Sequence, residues 1–376
     1  MAWNWQQDLW PHFRYEAPSL TLRDREFLQG AGGIVAVLNH FKEEEKKQFV
    51  VELLCIEGLE SARIEGEVLE RESLQSSIQR HFGLQVDRKK PTILEKGMAE
   101  LMCCVYESYA EPLTHAMLYR WHELLMQRRG DLEALGKYRS HDEPMQIVSQ
   151  RYGDSVVHFE APPSHSVEKE MTAFIDWFNS SDKESILGRA SQAHVHFESI
   201  HPFEDGNGRI GRALVEKALS QSLGHPTLIA ISQTIEMRKK EYYSYLAQCN
   251  RTLDIESWVL FFSEVILQAQ GYSVRLINFL IHKSKLMNSL SGKMNSRQEK
   301  ALLRIFAEGV DGFDGGLSAE NYMAITKTSR ATATRDLSDL VKKGALSKTG
   351  ELRHTRYWLS LDFDAFFAHL SFERPL

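Results

Sequence analysis

The 376-residue chain has four cysteines, Cys55, Cys103, Cys104 and Cys249, and no CxxC pair or finger spacing among them. That excludes a disulfide framework and a cysteine zinc site, leaving small core residues in a reducing compartment. Excess charge is scarce too. A net charge of −6 is too little to draw the whole chain to nucleic acid or an anionic membrane. No run approaches the roughly 18 apolar residues that span a bilayer. The opening MAWNWQQDLWPHF lacks a basic stretch followed by an apolar run, so it does not read as a signal peptide. Internal repeats and low-complexity tracts are missing as well. The expectation is a soluble, cytoplasmic protein with no membrane partner, long enough for two or three domains.

What is present is mostly helical pattern. Residues 42–63 place Phe49, Val50, Leu53, Leu54, Ile56 and Leu59 at helical spacing, with Gly66 as a stop. Further helices are predicted over 93–110, 113–127, 166–178, 187–200, from just after Asp205 to Leu219, and over 233–249 and 255–282. The period changes once in the middle. Gln146–Ser149 and Val156–Phe159 are β-favouring runs around Tyr152-Gly153-Asp154, which predicts a hairpin. After a polar joint at 289–296 come helix (298–307), short helix (318–325), helix (330–343) and two short strands around Gly350. The fold class read from this is mainly α, with a β-hairpin. The divisions are an N-terminal helical module (1–97), a core (98–290) and a C-terminal domain (291–376).

Chemistry concentrates in residues 201–212, HPFEDGNGRIGR. A glycine-rich turn feeding a helix gathers unpaired N–H groups and the positive dipole end into an anion site. Gly206 and Gly208 let an anion approach closely, and the Asn207 amide can donate to it. Arg209 and Arg212, three apart, share a face and can fork onto phosphate oxygens. Asp205 is a hard oxygen ligand that suits Mg²⁺. His201 can accept a proton near neutral pH. Together these residues describe transfer of a phosphate-containing group to a hydroxyl.

The stretch resembles the signature of Fic-domain proteins, His-x-Phe-x-(Asp/Glu)-Gly-Asn-Gly-Arg-x-x-Arg, with every defined position filled. The resemblance implies a protein adenylyltransferase that moves AMP from ATP to a hydroxyl of a target protein. It implies His201 as the base, Asp205 as the Mg²⁺ ligand, and Gly206, Asn207 and Gly208 as the phosphate cradle. Arg209 and Arg212 would take the outer phosphates, with Phe203 a buried anchor. Gly136-Lys137-Tyr138-Arg139, the hairpin and Pro162-Pro163 extend the resemblance upstream. In the family the hairpin is a flap that pairs with the target backbone, here through Gln146, Ile147, Val148 and Ser149. Downstream, Tyr242 and Asn250 resemble the adenine-side positions. The stretch Ser61-Ala62-Arg63-Ile64-Glu65-Gly66 resembles the family's inhibitory motif, (Ser/Thr)-x-x-x-Glu-(Gly/Asn), with Arg63 where small residues are frequent. Ser61 and Glu65 share a helix face, so the hydroxyl can orient the carboxylate. Paired with Arg212, Glu65 would occupy the guanidinium that the outermost phosphate needs.

Other readings stay open. His194 and His196 are two apart on a helix and point in different directions, so no zinc centre is expected from them. Gly208 stands where the family's kinase-like branch tends to carry lysine, which favours AMP transfer over transfer of another nucleotide or phosphoryl group. The upstream glutamate also raises removal of AMP as an activity. The C-terminal domain looks like a winged helix. Residues 321–357 hold eight Lys and Arg against three acids, an excess that suits a DNA backbone or a solvated face. A DNA-binding regulator is therefore the reading from a different class. An exposed apolar helix face would support a homodimer.

Overall fold

Contacts divide the chain into two units, Met1–Gly271 and Tyr272–Leu376, and the division falls inside one long helix. The computed structural model describes residues 2–85, 90–151, 154–181, 184–310, 312–313 and 315–360. It is mainly α.

The first unit opens with a 3-10 turn at Asn4–Gln6, followed by α1 (Thr21–Leu38) and α2 (Glu43–Ile64). α2 begins with Glu43, Glu44 and Glu45, acids where the unpaired N–H groups favour negative charge. Glu45 reaches back to the Lys42 N–H at 3.0 Å. The helix ends at Glu65, and Gly66 follows at φ 81°. α3 (Arg71–His81) escaped the sequence pattern because only Leu74 and Ile78 give it an apolar face. α4 (Ile93–Glu107) and α5 (His115–Met126) lead to the hairpin. Its strands β1 (Gln146–Arg151) and β2 (Asp154–Glu160) are antiparallel, with a bulge between Ile147 and Val148. The predicted turn residues Tyr152 and Gly153 lie outside the described residues.

α6 (Ser164–Ser180) precedes the central pair, α7 (Ile186–Ile200) and α8 (Asn207–Leu223). Nearly all of α7 is buried, so the turn between the two helices is set by packing on every side. The helix predicted over 233–249 is broken at Arg238 (φ −110°, ψ 25°) into α9 (Ile231–Met237) and α10 (Lys239–Cys249). α11 (Glu256–Leu290) then crosses the division between units.

In the second unit α12 (Ser296–Phe306), α13 (Ala319–Thr326) and α14 (Arg330–Lys342) are followed by antiparallel β3 (Leu346–Thr349) and β4 (Arg356–Leu359). Buried Asp336 on α14 fastens the helices: it accepts from Arg297 Nε at 2.8 Å and from the Tyr322 hydroxyl at 3.1 Å. Leu317 bridges to Tyr357 on β4.

Candidate active site

The site forms at the turn between α7 and α8. His201 follows α7 in a left-handed conformation (φ 50°, ψ 60°), its N–H returning to Phe197 O at 3.0 Å. Positive φ is uncommon outside glycine, and here Arg139 holds it. The Arg139 Nε donates to His201 O at 2.8 Å, and Nη2 donates to Pro162 O at 2.6 Å and Ile200 O at 3.3 Å. Its backbone N–H donates to Pro202 O at 2.9 Å. Burial among these neutral partners brings the guanidinium down to about 10. Arg139 thus fixes the loop that carries His201.

Burial first, and the Arg139 charge after it, push His201 down to about 4. The imidazole is therefore neutral at neutral pH and able to accept a proton. Its Nδ1 lies 3.8 Å from Glu198 Oε2, one helical turn earlier. Burial and the nearby Glu65 charge drive Glu198 up to about 8, so its carboxyl keeps a proton at neutral pH.

Phe203 is fully buried and stacks on His122, with centroids 4.3 Å apart and planes 8° from parallel. Asn207 is engaged otherwise than the sequence suggests. Its amide donates to Phe203 O at 2.8 Å and its oxygen accepts from the Phe203 N–H at 3.0 Å. The side chain shapes the turn rather than offering a donor to an anion. Gly206 (φ 83°) caps α8, and its N–H is taken by Asp205 Oδ1 at 2.6 Å. The first-turn N–H groups of α8 are left to supply the anion site, since a helix start has no internal acceptor for them.

Asp205 is gripped by Arg129, which also forks onto Asp131 at 2.8 Å through both Nε and Nη2. Arg209 Nη2 lies 3.5 Å from Asp205 Oδ1. The same arginine is 3% exposed and pairs through Nη1 with Glu67 Oε2 at 2.5 Å. Arg212, 1% exposed, pairs through Nη2 with Glu65 Oε1 at 2.8 Å. Ser61 serves this arginine directly: its hydroxyl accepts from Arg212 Nε at 3.0 Å and its carbonyl from Nη2 at 2.8 Å. The serine therefore orients the guanidinium, where the sequence suggested it would orient the carboxylate. Glu65 lies so close over the start of α8 that a Cβ at Gly208 would collide with its carboxylate.

Tyr242 is buried, with its hydroxyl 2.6 Å from His194 Nε2. The exposed ring of the pair is Tyr243, 44% accessible, its hydroxyl 3.5 Å from Ile64 O at the end of α2. Of the two rings, Tyr242 thus packs inward against His194 and Tyr243 is the one open to solvent. Asn250 caps α10, and its backbone carbonyl accepts the Asn4 N–H at 2.9 Å. On the hairpin, Gln146 bonds Glu160 Oε2 at 2.8 Å. Ile147 and Val148 are 41% and 49% exposed, while the Ser149 side chain lies outside the described residues. The sequence reading missed Arg129 and Glu67 altogether. An acid two residues beyond Glu65 was the one available signal.

Residues 112–219 match the Fic/DOC family model. The chain carries a Fic domain. Residues 3–84 match a domain of unknown function, DUF4172. The chain is 35% identical over 124 residues to protein adenylyltransferase Fic of Nematostella vectensis, covering 32% of this chain and 28% of that one. A probable protein adenylyltransferase of Aquifex aeolicus is 24% identical over 190 residues, covering 50% of this chain and 52% of the relative. The chain thus spans from about a quarter to about half the length of these relatives. A Fic family protein from Desulfovibrio desulfuricans shares the fold with a TM-score of 0.50 at 23% identity, over 92% of this chain and 98% of that one. A Fic domain containing signaling protein from Bacteroides thetaiotaomicron does so with a TM-score of 0.51 at 20% identity, over 67% and 95%.

Proposed function

We propose that the Fic domain makes this chain a protein adenylyltransferase, moving AMP from ATP to a Ser, Thr or Tyr hydroxyl of a protein target, this chain included. The observation that best supports the reading is a neutral, partly exposed His201 placed beside the glycine start of α8, with buried Arg209 and Arg212 on its first turns. His201 takes the hydroxyl proton as the oxygen attacks the α-phosphorus. The bond to the pyrophosphate oxygen breaks, and the two arginines hold the charge on the outer phosphates. The hairpin edge, with Ile147 and Val148 exposed, offers backbone pairing to an extended target segment.

Asp205 fits Mg²⁺ as a single hard carboxylate, the rest of the shell coming from phosphates and water. Among the described residues no group of three acid, histidine or cysteine side chains would hold an ion unaided. When bound, Mg²⁺ supplies neutralisation of phosphate charge. Arg129 must release Asp205 for that to happen.

The arrangement reads as a braked state. The segment that leaves α2, in the N-terminal module (1–97), lays Glu65 on Arg212 and Glu67 on Arg209, so both phosphate clamps of the core (98–290) are occupied. The deciding experiment compares label transfer to protein from α-labelled and γ-labelled ATP. Transfer of α-label, lost in His201→Ala, supports the reading. Transfer of γ-label alone refutes it.

A second reading concerns residues 291–376 as a winged-helix domain that contacts DNA. It is favoured by the exposed Arg335 and Lys342 on α14, seven apart on the face opposite buried Leu337 and Leu340.

A further inference from the structure

The hairpin that offers its edge to a target has two strands only, and two strands alone are marginally stable in water. Something outside the ladder must seat it. Among its described side chains Gln146, Ile147, Val148, Val157 and His158 are exposed, and Phe159 alone is buried. Phe159 pairs across the ladder with Ile147, so whatever seats the phenyl ring also seats the pairing edge.

The start of the chain seats it. The Trp3 ring meets Phe159 edge to face, with centroids 5.4 Å apart, and the Arg251 guanidinium covers Trp3 at 3.3 Å from the ring centre. Trp5 Nε1 donates to Glu160 O at 2.6 Å. An apolar contact by itself has no preferred direction, whereas a hydrogen bond to one carbonyl fixes the position along the strand. Between the two tryptophans lies Asn4, fully buried. Its Nδ2 donates to Ser199 Oγ at 2.8 Å and its backbone N–H to Asn250 O at 2.9 Å. Ser199 stands in the last turn of α7, two residues before His201.

The foot of the hairpin is also held from a second direction. Pro162, two residues past Glu160, gives its carbonyl to Arg139, and the same guanidinium holds His201 O. The hairpin is thus tied to the His201 loop twice, once through Arg139 and once through Asn4, whose neighbours grip Phe159 and Glu160.

We propose that Trp3, Asn4 and Trp5 are positioning residues for the protein target. They fix the height of the hairpin over His201, so that a segment paired along Gln146–Ser149 brings its hydroxyl into register with the imidazole. The inference rests on the AMP-transfer reading. It gives the first residues of the segment that matches a domain of unknown function a share in target recognition. Reacting groups misplaced by about 1 Å can lose about a hundredfold in rate. The phosphate clamps sit on α8, whereas Trp3 and Trp5 bind the hairpin, so effects on acceptor and on nucleotide separate.

The test uses the full chain carrying Glu65→Gly, α-labelled ATP as donor, and an inactive His201→Ala copy of the chain as acceptor. Into the active chain go Trp3→Ala and, more mildly, Trp5→Phe, which keeps an aromatic ring and removes the Nε1–H bond. Both are checked for folding by circular dichroism. In each, kcat/KM for the acceptor should fall about tenfold and hairpin amides should exchange hydrogen about tenfold faster. The KM for ATP should stay within about twofold. An unchanged acceptor kcat/KM in the folded variants overturns the proposal. So does an equal rise in the KM for ATP, which marks general loosening. Absence of label on the acceptor with the turn unaltered refutes the AMP-transfer reading itself, and the proposal with it.

Discussion

Glu65 Oε1 rests 2.8 Å from Arg212 Nη2, on an arginine that is 1% exposed. With the guanidinium also bonded twice to Ser61, it has little freedom to turn toward a phosphate. Glu65→Gly should therefore raise α-label incorporation strongly, by about 100-fold if the carboxylate shifts the ATP pose by a few kcal/mol. Arg212→Ala should lose activity, and the double variant should stay inactive because the clamp itself is gone. An unchanged Glu65→Gly rate would remove Glu65 from the mechanism.

The second ion pair makes a separate prediction. Glu67 Oε2 lies 2.5 Å from Arg209 Nη1 and is itself one-third exposed, so solvent weakens its hold. Glu67→Gln should raise AMP transfer by about fivefold and add to the gain from Glu65→Gly, since the two acids act on different arginines. Rates measured on the two single variants and the double variant test this. A double variant no faster than Glu65→Gly alone would confine the brake to one arginine.

Stability should depend on pH in both directions. Burial holds His122 and His201 down to about 4, and His194 and His196 to about 3. The unfolded chain protonates these histidines first, so the stability they contribute is lost as pH falls below about 6.5, by up to about 1.4 kcal/mol per pH unit for each. Burial raises Glu198 and Glu216 to about 8. The folded state keeps those protons, so that contribution fades as pH rises from about 4.5 to about 8. Thermal melts should therefore peak near about pH 6, and Glu216→Gln should flatten the alkaline side. A melting temperature still rising at pH 8 would contradict this.

The basic face of α14 predicts a gel shift of duplex DNA by the full chain at low salt, falling steeply as salt rises. Reversing charge in Arg335→Glu with Lys342→Glu should abolish it. No shift by the unaltered chain would leave protein contact as the role of this unit.

Much of this was legible in the sequence because it is local. The run from His201 to Arg212 carries its own turn and helix start, and α2 announces itself by acids at one end and Gly66 at the other. What escaped depends on neighbours distant in the chain. Arg139 works through the carbonyls of Pro162, Ile200 and His201, which no residue pattern marks. Tyr242 and Tyr243 are adjacent on a helix, and only packing against His194 shows which one is buried. Asn207 was assigned by residue type to the phosphates, whereas the backbone of Phe203 claims its amide first.

The left-handed turn at His201 sets chemistry against durability. For a residue with a Cβ this conformation costs about 1–2 kcal/mol, and glycine would take it freely. His201→Gly and His201→Ala should be equally inactive in label transfer, yet the glycine variant should melt higher. Selection that favoured stability alone would have replaced this residue. The imidazole therefore sits at a position where the backbone itself would be better served by glycine.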